Sequence, residues 1–172
     1  MQLWTIGHSN QPLERFFAAL AADEIAVVAD VRRFPASRRH PHFGKEQLAA
    51  ALHDAGIAYL HFPELGGRRP PRQDSRNTAW RVAAFRGYAD YMETAEFEAG
   101  IARLLDEVAE RRVAIMCAEL LWWQCHRGLI ADYLKSRGHD VVHIISAVKH
   151  EPHPYTSAAS IVDGRLSYQG LI

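Results

Sequence analysis

A chain of 172 residues, 48% hydrophobic and 23% charged, has the composition of a soluble globular protein, and its length favours one domain with a sizeable core. Lys plus Arg and Asp plus Glu both number 20, so the net charge provides no general attraction to nucleic acid or membranes. Two cysteines are too few for a disulfide scaffold, the N-terminus lacks the pattern of a secretion signal, and no apolar run approaches the ~20 residues of a membrane span. We therefore expect a cytoplasmic protein with free thiols and no membrane association.

The first half of the chain predicts three strands and two helices. Apolar runs over 3–7, 25–31 and 57–62 are typical of buried strands. A helix is expected after Pro12, which suits a first helical turn, and a second helix over 45–55. Each strand is therefore followed by a helix or by a long connection.

The second half continues the alternation after a long loop over 63–86 that is rich in Gly, Pro and Arg. It predicts helices over 88–92 and 127–137, a third helix capped by Thr94, strands over 113–116 and 141–145, and a hairpin over 160–168 that turns at Asp163-Gly164. Apolar strands that alternate with helices favour an α/β fold. We expect a mostly parallel, Rossmann-like or flavodoxin-like sheet of about five strands with helices on both faces, plus the C-terminal hairpin. Residues 1–150 form this α/β domain, and the tail 151–172 belongs to the same domain.

Polar side chains follow the predicted strands at the edge where ligands bind in open α/β sheets, beyond the carboxyl ends. The residues at these ends are His8, Ser9 and Asn10 after the first strand, Asp30 and Arg32 after the second, and Cys117 and Glu119 after the fourth. The sequence therefore predicts a cleft at this edge of the sheet.

The segment 117–127 holds both cysteines of the chain. Cys125 lies where a helix begins, and a helix N-terminus with a neighbouring cation favours the thiolate. His126 could exchange protons near neutral pH, and Arg127 could clamp a carboxylate or phosphate. The alternative is that Cys125 is buried while Arg127 pairs with an acid such as Asp30. Cys117 is either a second reactive thiol or a small residue that finishes a strand.

Cysteine spacing argues against two common chemistries. The cysteines are not the C-x-x-C pair of disulfide oxidoreductases, and neither begins the Cys-x5-Arg cradle of thiol phosphatases. Zinc could be surrounded by Cys117, Cys125, His126 and His8, and two local histidine pairs occur at 40–42 and 150–153, but no paired C-x2-C is present. We therefore predict no metal site and leave the cofactor open.

Arginines and tryptophans are unevenly distributed. Arginines cluster over 32–39 and 68–86, where local anion binding remains an open alternative to a general preference for Arg over Lys. Trp122 and Trp123 could stack on a nucleobase, line a subunit contact or belong to the core, and core or subunit contact is favoured.

Several motifs occur in series along the chain. They are Thr-Ile-Gly-His-Ser-Asn at 5–10, Asp-Val-Arg at 30–32 with Pro35 and Ser37, Phe-Gly-Lys-Glu at 43–46, Gly-Ile-Ala-Tyr at 56–59, Leu-Gly-Gly at 65–67, the run 88–92, Cys-Ala-Glu at 117–119 and Cys-His-Arg at 125–127. This series resembles the DUF488 family from about residue 3 to 144. The resemblance implies a small bacterial or archaeal α/β domain without a known reaction. One departure is the loop 120–123, Leu-Leu-Trp-Trp here and polar in most of the family.

The leading hypothesis is an enzyme with a thiol in an anion-binding cleft, acting as a cysteine-dependent hydrolase, transferase or redox enzyme on a phosphorylated or carboxylated small molecule. The expected catalytic residues are Cys117, Glu119, Cys125 and His126, and the expected substrate-binding residues are His8, Ser9, Asn10, Asp30, Arg32 and Arg127. The alternatives are a nucleic-acid-binding or processing module and a ligand sensor without turnover. A homodimer also stays open.

Overall fold

The computed structural model describes residues 1–36 and 38–170, so Ser37 of the second motif lies outside the described residues, as do residues 171–172. The strands of the described part are β1 Gln2–Gly7, β2 Val27–Asp30, β3 Ala58–His61, β4 Val113–Cys117, β5 Asp140–Ser146, β6 Lys149–Pro152, β7 Ser160–Val162 and β8 Arg165–Ser167. The helices are α1 Leu13–Ala22, α2 Lys45–Asp54, α3 Ala83–Tyr91, α4 Ala95–Glu110 and α5 Arg127–Ser136.

One sheet runs in the order β3-β2-β4-β1-β5-β6, and its first five strands are parallel. The predicted mostly parallel α/β fold is confirmed. The sixth strand, β6, was not predicted, because Lys149–Pro152 is polar and carries no apolar run. It pairs antiparallel with β5 at the sheet edge, where Pro152 is tolerated.

Helices cover both faces of the sheet, which explains why its inner strands are apolar throughout. On one face α1 and α2 bury Phe16, Leu20 and Leu48 against the sheet. On the other face α3, α4 and α5 contribute the cluster that includes Tyr88 and Leu129. Since β2 and β4 are buried on both sides, their carboxyl ends are held rigidly where the site lies.

The C-terminal hairpin β7–β8 is confirmed, with its turn at Asp163 and Gly164. Both residues have positive φ, 52° and 76°, the geometry of a type I′ turn. Tyr168 follows β8 and donates a hydrogen bond to Asp132 of α5 at 2.6 Å. This contact ties the tail to the domain.

Gly7 ends β1 where the backbone meets the loop that follows β4. A Cβ at this position would lie 1.8 Å from the Glu119 carbonyl oxygen, so a side chain has no room here. The close approach lets the His8 and Ser9 N–H groups donate to the carbonyls of Cys117 and Ala118 at 2.9 Å. Two of the predicted site segments are thereby held together.

Candidate functional site

A cleft of about 650 Å³ lies at the carboxyl ends of β1, β2 and β4, beside the N-terminus of α5. Most of the predicted site residues line it, namely His8, Ser9, Asn10, Arg32, Cys117, Glu119, Cys125 and His126. Asp30 and Arg127 lie behind these residues and are 0% and 1% exposed. The structure thus brings most of the predicted residues together along one cleft, while Asp30 and Arg127 lie beneath it.

Cys125 is placed by the first turn of α5. Its Sγ accepts a hydrogen bond from the Arg127 backbone N–H at 3.4 Å, so an orphan donor of the helix points at the sulfur. Burial raises the pKa of the Cys125 thiol, but the Cys117 thiol, the Arg127 charge and the Arg127 N–H outweigh it and lower the pKa to about 7. The thiolate of Cys125 is therefore more accessible near neutral pH than that of an ordinary cysteine.

His126 has its tautomer set by a backbone carbonyl. Its Nε2–H donates to the Val31 oxygen at 2.8 Å, which leaves Nδ1 as an acceptor 3.6 Å from Cys125 Sγ. Burial lowers the pKa of His126, so the ring is neutral at pH 7. Gly67 provides the space for this ring, because a Cβ there would lie 3.1 Å from His126 Nδ1. Cys125 Sγ and His126 Nδ1 thus lie within the distance of a sulfur hydrogen bond.

Cys117 ends β4 and is 2% exposed. Its thiol donates weakly to the Glu119 carbonyl at 3.8 Å. Burial, together with the neighbouring Cys125, raises the pKa of Cys117 well above the usual range. Of the two thiols, Cys125 ionises first and Cys117 stays protonated beside it.

Arg32 lines the cleft, but its charge is neutralised by Asp30, the last residue of β2. Its guanidinium makes a two-pronged contact with Asp30 at 2.9 and 2.8 Å and donates to the Phe43 carbonyl at 2.7 Å. It also donates to His8 Nε2 at 3.3 Å, and the His8 ring stacks on Phe43 at 4.4 Å. Burial lowers the pKa of His8 to about 4, so this wall of the cleft is uncharged overall.

Arg127 does not pair with Asp30, so that part of the alternative is wrong, whereas Cys125 is buried, at 6% exposed, as the alternative expected. Its Nη1 donates to Thr5 Oγ1 at 3.1 Å, and its Nη2 donates to the Glu119 and Leu120 carbonyls at 2.6 and 3.1 Å. The Arg127 side chain is therefore fixed beneath the thiols, because its donors are largely committed to the protein.

The rim of the cleft carries cations that the predicted site did not include. They are Arg33, Arg38, Arg39 and Arg68, and the same rim holds Phe34, which is 62% exposed. The guanidinium carbons of Arg33 and Arg68 lie 5.4 and 5.8 Å from the centre of the Phe34 ring. The arginine clusters in the sequence were the signal for this rim.

Only part of the second arginine cluster reaches the cleft. Arg69 stacks on Tyr91 at 3.8 Å, and Arg72 forms an ion pair with Glu93 at 3.0 Å. These arginines stabilise the long loop against α3. The cluster over 68–86 is thus divided between a rim position at Arg68 and structural contacts.

Trp122 is buried in the core, one of the two placements that the sequence favoured, while Trp123 is 49% exposed. The Trp122 ring lies face to face on His143, with centres 4.8 Å apart. Neither tryptophan is among the residues that line the cleft. Trp122 is therefore occupied by protein contacts and does not present its face to a ligand.

Within residues 1–36 and 38–170, no group of three His, Cys, Asp or Glu side chains is arranged to hold a metal ion. The local pair at 150–153 is divided, because His150 contacts Asp23 and His153 contacts Asp132. In the same part of the chain, no helix combines the length and apolar character needed to cross a membrane.

Comparison with protein families gives one match, to the Domain of unknown function DUF488, over residues 12–134. The matched range contains the strands β2, β3 and β4 and the first turns of α5, and so most of the cleft. No curated protein and no solved structure matches the chain significantly. Since the match covers most of the sequence, the chain belongs to the DUF488 family.

Proposed function

We propose that this protein is an enzyme that uses Cys125 as a nucleophile on an anionic substrate. The observation that carries the proposal is the position of Cys125 Sγ, which meets the α5 N-terminus at 3.4 Å and His126 Nδ1 at 3.6 Å on the floor of the cleft. A helix N-terminus and an adjacent base are the two common ways of activating a thiol, and both act on the same sulfur.

The chemistry begins when His126 Nδ1 accepts the Cys125 thiol proton. The thiolate forms a bond to an electrophilic carbon or phosphorus of the substrate, and the leaving group departs with the electron pair of the broken bond. The protonated His126 returns the proton to that leaving group. Glu119, at the cleft edge, is a second proton carrier for the release of the covalent intermediate to water or to an acceptor. This sequence describes a hydrolase or transferase.

An anionic substrate is favoured by the rim. Arg33, Arg38, Arg39 and Arg68 border the opening, whereas Arg32 is neutralised by Asp30. Arginine binds phosphate and carboxylate in two-pronged fashion. The rim arginines therefore take the substrate-binding role first assigned to Arg32 and Arg127, while those two shape the floor.

The rate of alkylation by iodoacetamide, measured by mass spectrometry from pH 5 to 10, tests the thiol. Cys125 in the wild type and in Cys117→Ser is expected to titrate near pH 7, whereas Cys125→Ser should react at least ten times more slowly at that pH. Cys117→Ser is the matched control, because it removes the second thiol and keeps a small side chain that can donate a hydrogen bond. A midpoint at or above about 8.5, the value of an ordinary cysteine, would refute the activated thiol.

Nucleic-acid binding is a second candidate, favoured by the exposed Phe34 ring between Arg33 and Arg68. Single-stranded nucleic acids bind to aromatic rings flanked by cations, with affinity that falls as salt rises. If this candidate is right, a labelled single-stranded oligonucleotide binds the protein in about 50 mM salt. The logarithm of its binding constant then falls linearly with the logarithm of the salt concentration, with a slope set by the number of phosphates contacted. Affinity is expected to fall in Phe34→Ala but not in Trp123→Ala. Absent or salt-independent binding removes this candidate.

A further inference from the structure

A continuous chain of hydrogen bonds runs from beneath the two thiols to a buried carboxylate. Arg127 Nη1 contacts Thr5 Oγ1 at 3.1 Å, and Thr5 Oγ1 contacts His143 Nδ1 at 2.6 Å. His143 Nε2 then contacts His153 Nδ1 at 2.8 Å, and His153 Nε2 contacts Asp132 Oδ1 at 2.7 Å. These five residues, from β1, α5, β5 and the segment after β6, are called the relay below.

The contacts of the relay allow all of its donors to point in one direction. A guanidinium can only donate, so Thr5 Oγ1 accepts from Arg127, and its own hydroxyl proton is then available for His143 Nδ1. His143 is then left with its proton on Nε2, and it donates to His153 Nδ1. His153 in turn donates from Nε2 to Asp132. The His143 ring is neutral in this arrangement, and burial lowers the pKa of His143 to about 2, in keeping with it.

The relay is sealed from water. Its members are at most 3% exposed. Trp122 lies parallel to His143, with an angle of 8° between the rings, and meets His153 edge-on at 4.9 Å. The apolar loop that departs from the family pattern thus provides a cover, because hydrogen bonds hold their geometry better where water cannot compete.

Arg127 is a buried cation that forms no ion pair with an adjacent acidic side chain in the described part of the chain. Among the residues described by the structure, no carboxylate lies within ion-pair distance of it, and its Nε–H has no hydrogen-bond partner. Burying an unpaired charge is costly, so a negative charge that forms next to it is strongly stabilised. The group that can ionise there is the Cys125 thiol, and the benefit depends on where the guanidinium is held.

We propose that Thr5, His143, His153 and Asp132 are positioning residues that hold Arg127 against the thiols and thereby set the reactivity of Cys125. The inference rests on the proposed function for its chemistry and extends it to residues outside the cleft. Asp132 anchors the far end, where it also accepts from Thr156 and Tyr168 at 2.5 and 2.6 Å. The other titratable or charged groups facing Cys125 are Cys117 on β4, His126 at the N-cap of α5 and Tyr88 on α3.

Thr5→Val and Thr5→Ser form a matched pair that tests the relay. Valine removes the hydroxyl that joins Arg127 to His143 and changes no charge, whereas serine keeps it. The alkylation midpoint of Cys125 is expected to rise by about one pH unit in Thr5→Val, with a several-fold lower rate at pH 6.5, and to stay at the wild-type value in Thr5→Ser. Thermal melts are used to check that both variants are folded. An unchanged or lowered midpoint in folded Thr5→Val would overturn the proposal.

Asp132→Asn separates positioning from simple electrostatics. Through space, loss of a negative charge would favour the thiolate and lower the Cys125 midpoint. Loss of positioning raises it, and that is the expected result. A wild-type midpoint at or above about 8.5 counts against the proposed function, whereas equal midpoints in the wild type and the folded variants count against the relay alone.

The wild-type protein provides an independent measurement if the variants fold poorly. Nitrogen-15 NMR of the histidine rings reports which nitrogen carries the proton. The relay requires His143 and His153 each to carry a proton on Nε2 and to have a bare Nδ1 that accepts a hydrogen bond. A proton on Nδ1 of either ring would show that the chain does not run from Arg127 to Asp132, and would overturn the proposal.

Discussion

Acidification from pH 7.5 to pH 4 is expected to remove about 6 kcal/mol from the free energy of unfolding. Two buried histidines cause this loss. Burial lowers the pKa of His8 to about 4, and burial with the charge of Arg127 lowers that of His143 to about 2. In the unfolded chain both titrate near 6.5. Between these values the unfolded chain binds protons that the folded protein does not, so stability is intact above pH 6.5 and falls below it.

Urea unfolding at half-unit pH steps measures this loss, which approaches the whole stability of an ordinary domain. His8→Asn keeps one donor and one acceptor but cannot titrate, so its unfolding free energy should fall about 3 kcal/mol less over the same range. His53→Asn, on the exposed side of α2, serves as the control and should follow the wild type. A flat wild-type profile between pH 7 and 5 would contradict the prediction.

Asp132→Ala is expected to destabilise the protein by about 4 kcal/mol. The Asp132 carboxylate is fully buried and accepts four hydrogen bonds, from the backbone and side chain of Thr156, from Tyr168 and from His153. Alanine would leave these donors buried without an acceptor. In buried hydrogen-bond networks of this kind, removing one member lowers stability by more than any single hydrogen bond contributes.

Chemical denaturation at pH 7.5 checks the Asp132 prediction. Asp132→Asn retains one acceptor oxygen and should lose less than the alanine variant. Asp106→Ala, at an exposed position of α4, is the control and should stay within about 0.5 kcal/mol of the wild type. A loss below about 1 kcal/mol in Asp132→Ala would mean that the network contributes little to stability.

Local pattern was enough to predict the centre of the fold. The strands Val27–Asp30 and Val113–Cys117 are apolar at each position up to their last residues, the pattern of parallel strands covered on both faces. The rule that ligands bind at carboxyl strand ends then brought His8, Arg32 and Cys125 into one cleft. Both steps need only sequence order and the direction of the chain.

Other features depend on tertiary contacts that leave no local trace. β6 forms because β5 offers an unpaired edge, so its polar sequence is recruited without any strand pattern of its own. In the sequence, His143 is a single polar residue in an apolar strand. Its hydrogen-bond partner His153 directly follows β6 and is placed by the pairing of that strand. Arg32 and Arg127 were expected to bind a ligand. The sequence does not reveal that Asp30 already accepts hydrogen bonds from Arg32, or that the Thr5 hydroxyl accepts one from Arg127.

The place of β1 inside the sheet affects how the chain is made. Trp4 lies opposite Ala114 of β4 on one side and opposite Val142 of β5 on the other. During synthesis β1 therefore leaves the ribosome well before its partners β4 and β5 are translated, and closing such long loops slows folding. The nascent chain carries an unpaired apolar strand throughout this time, which exposes it to aggregation. Chaperone binding to β1 in the nascent chain would protect the strand that later holds Thr5.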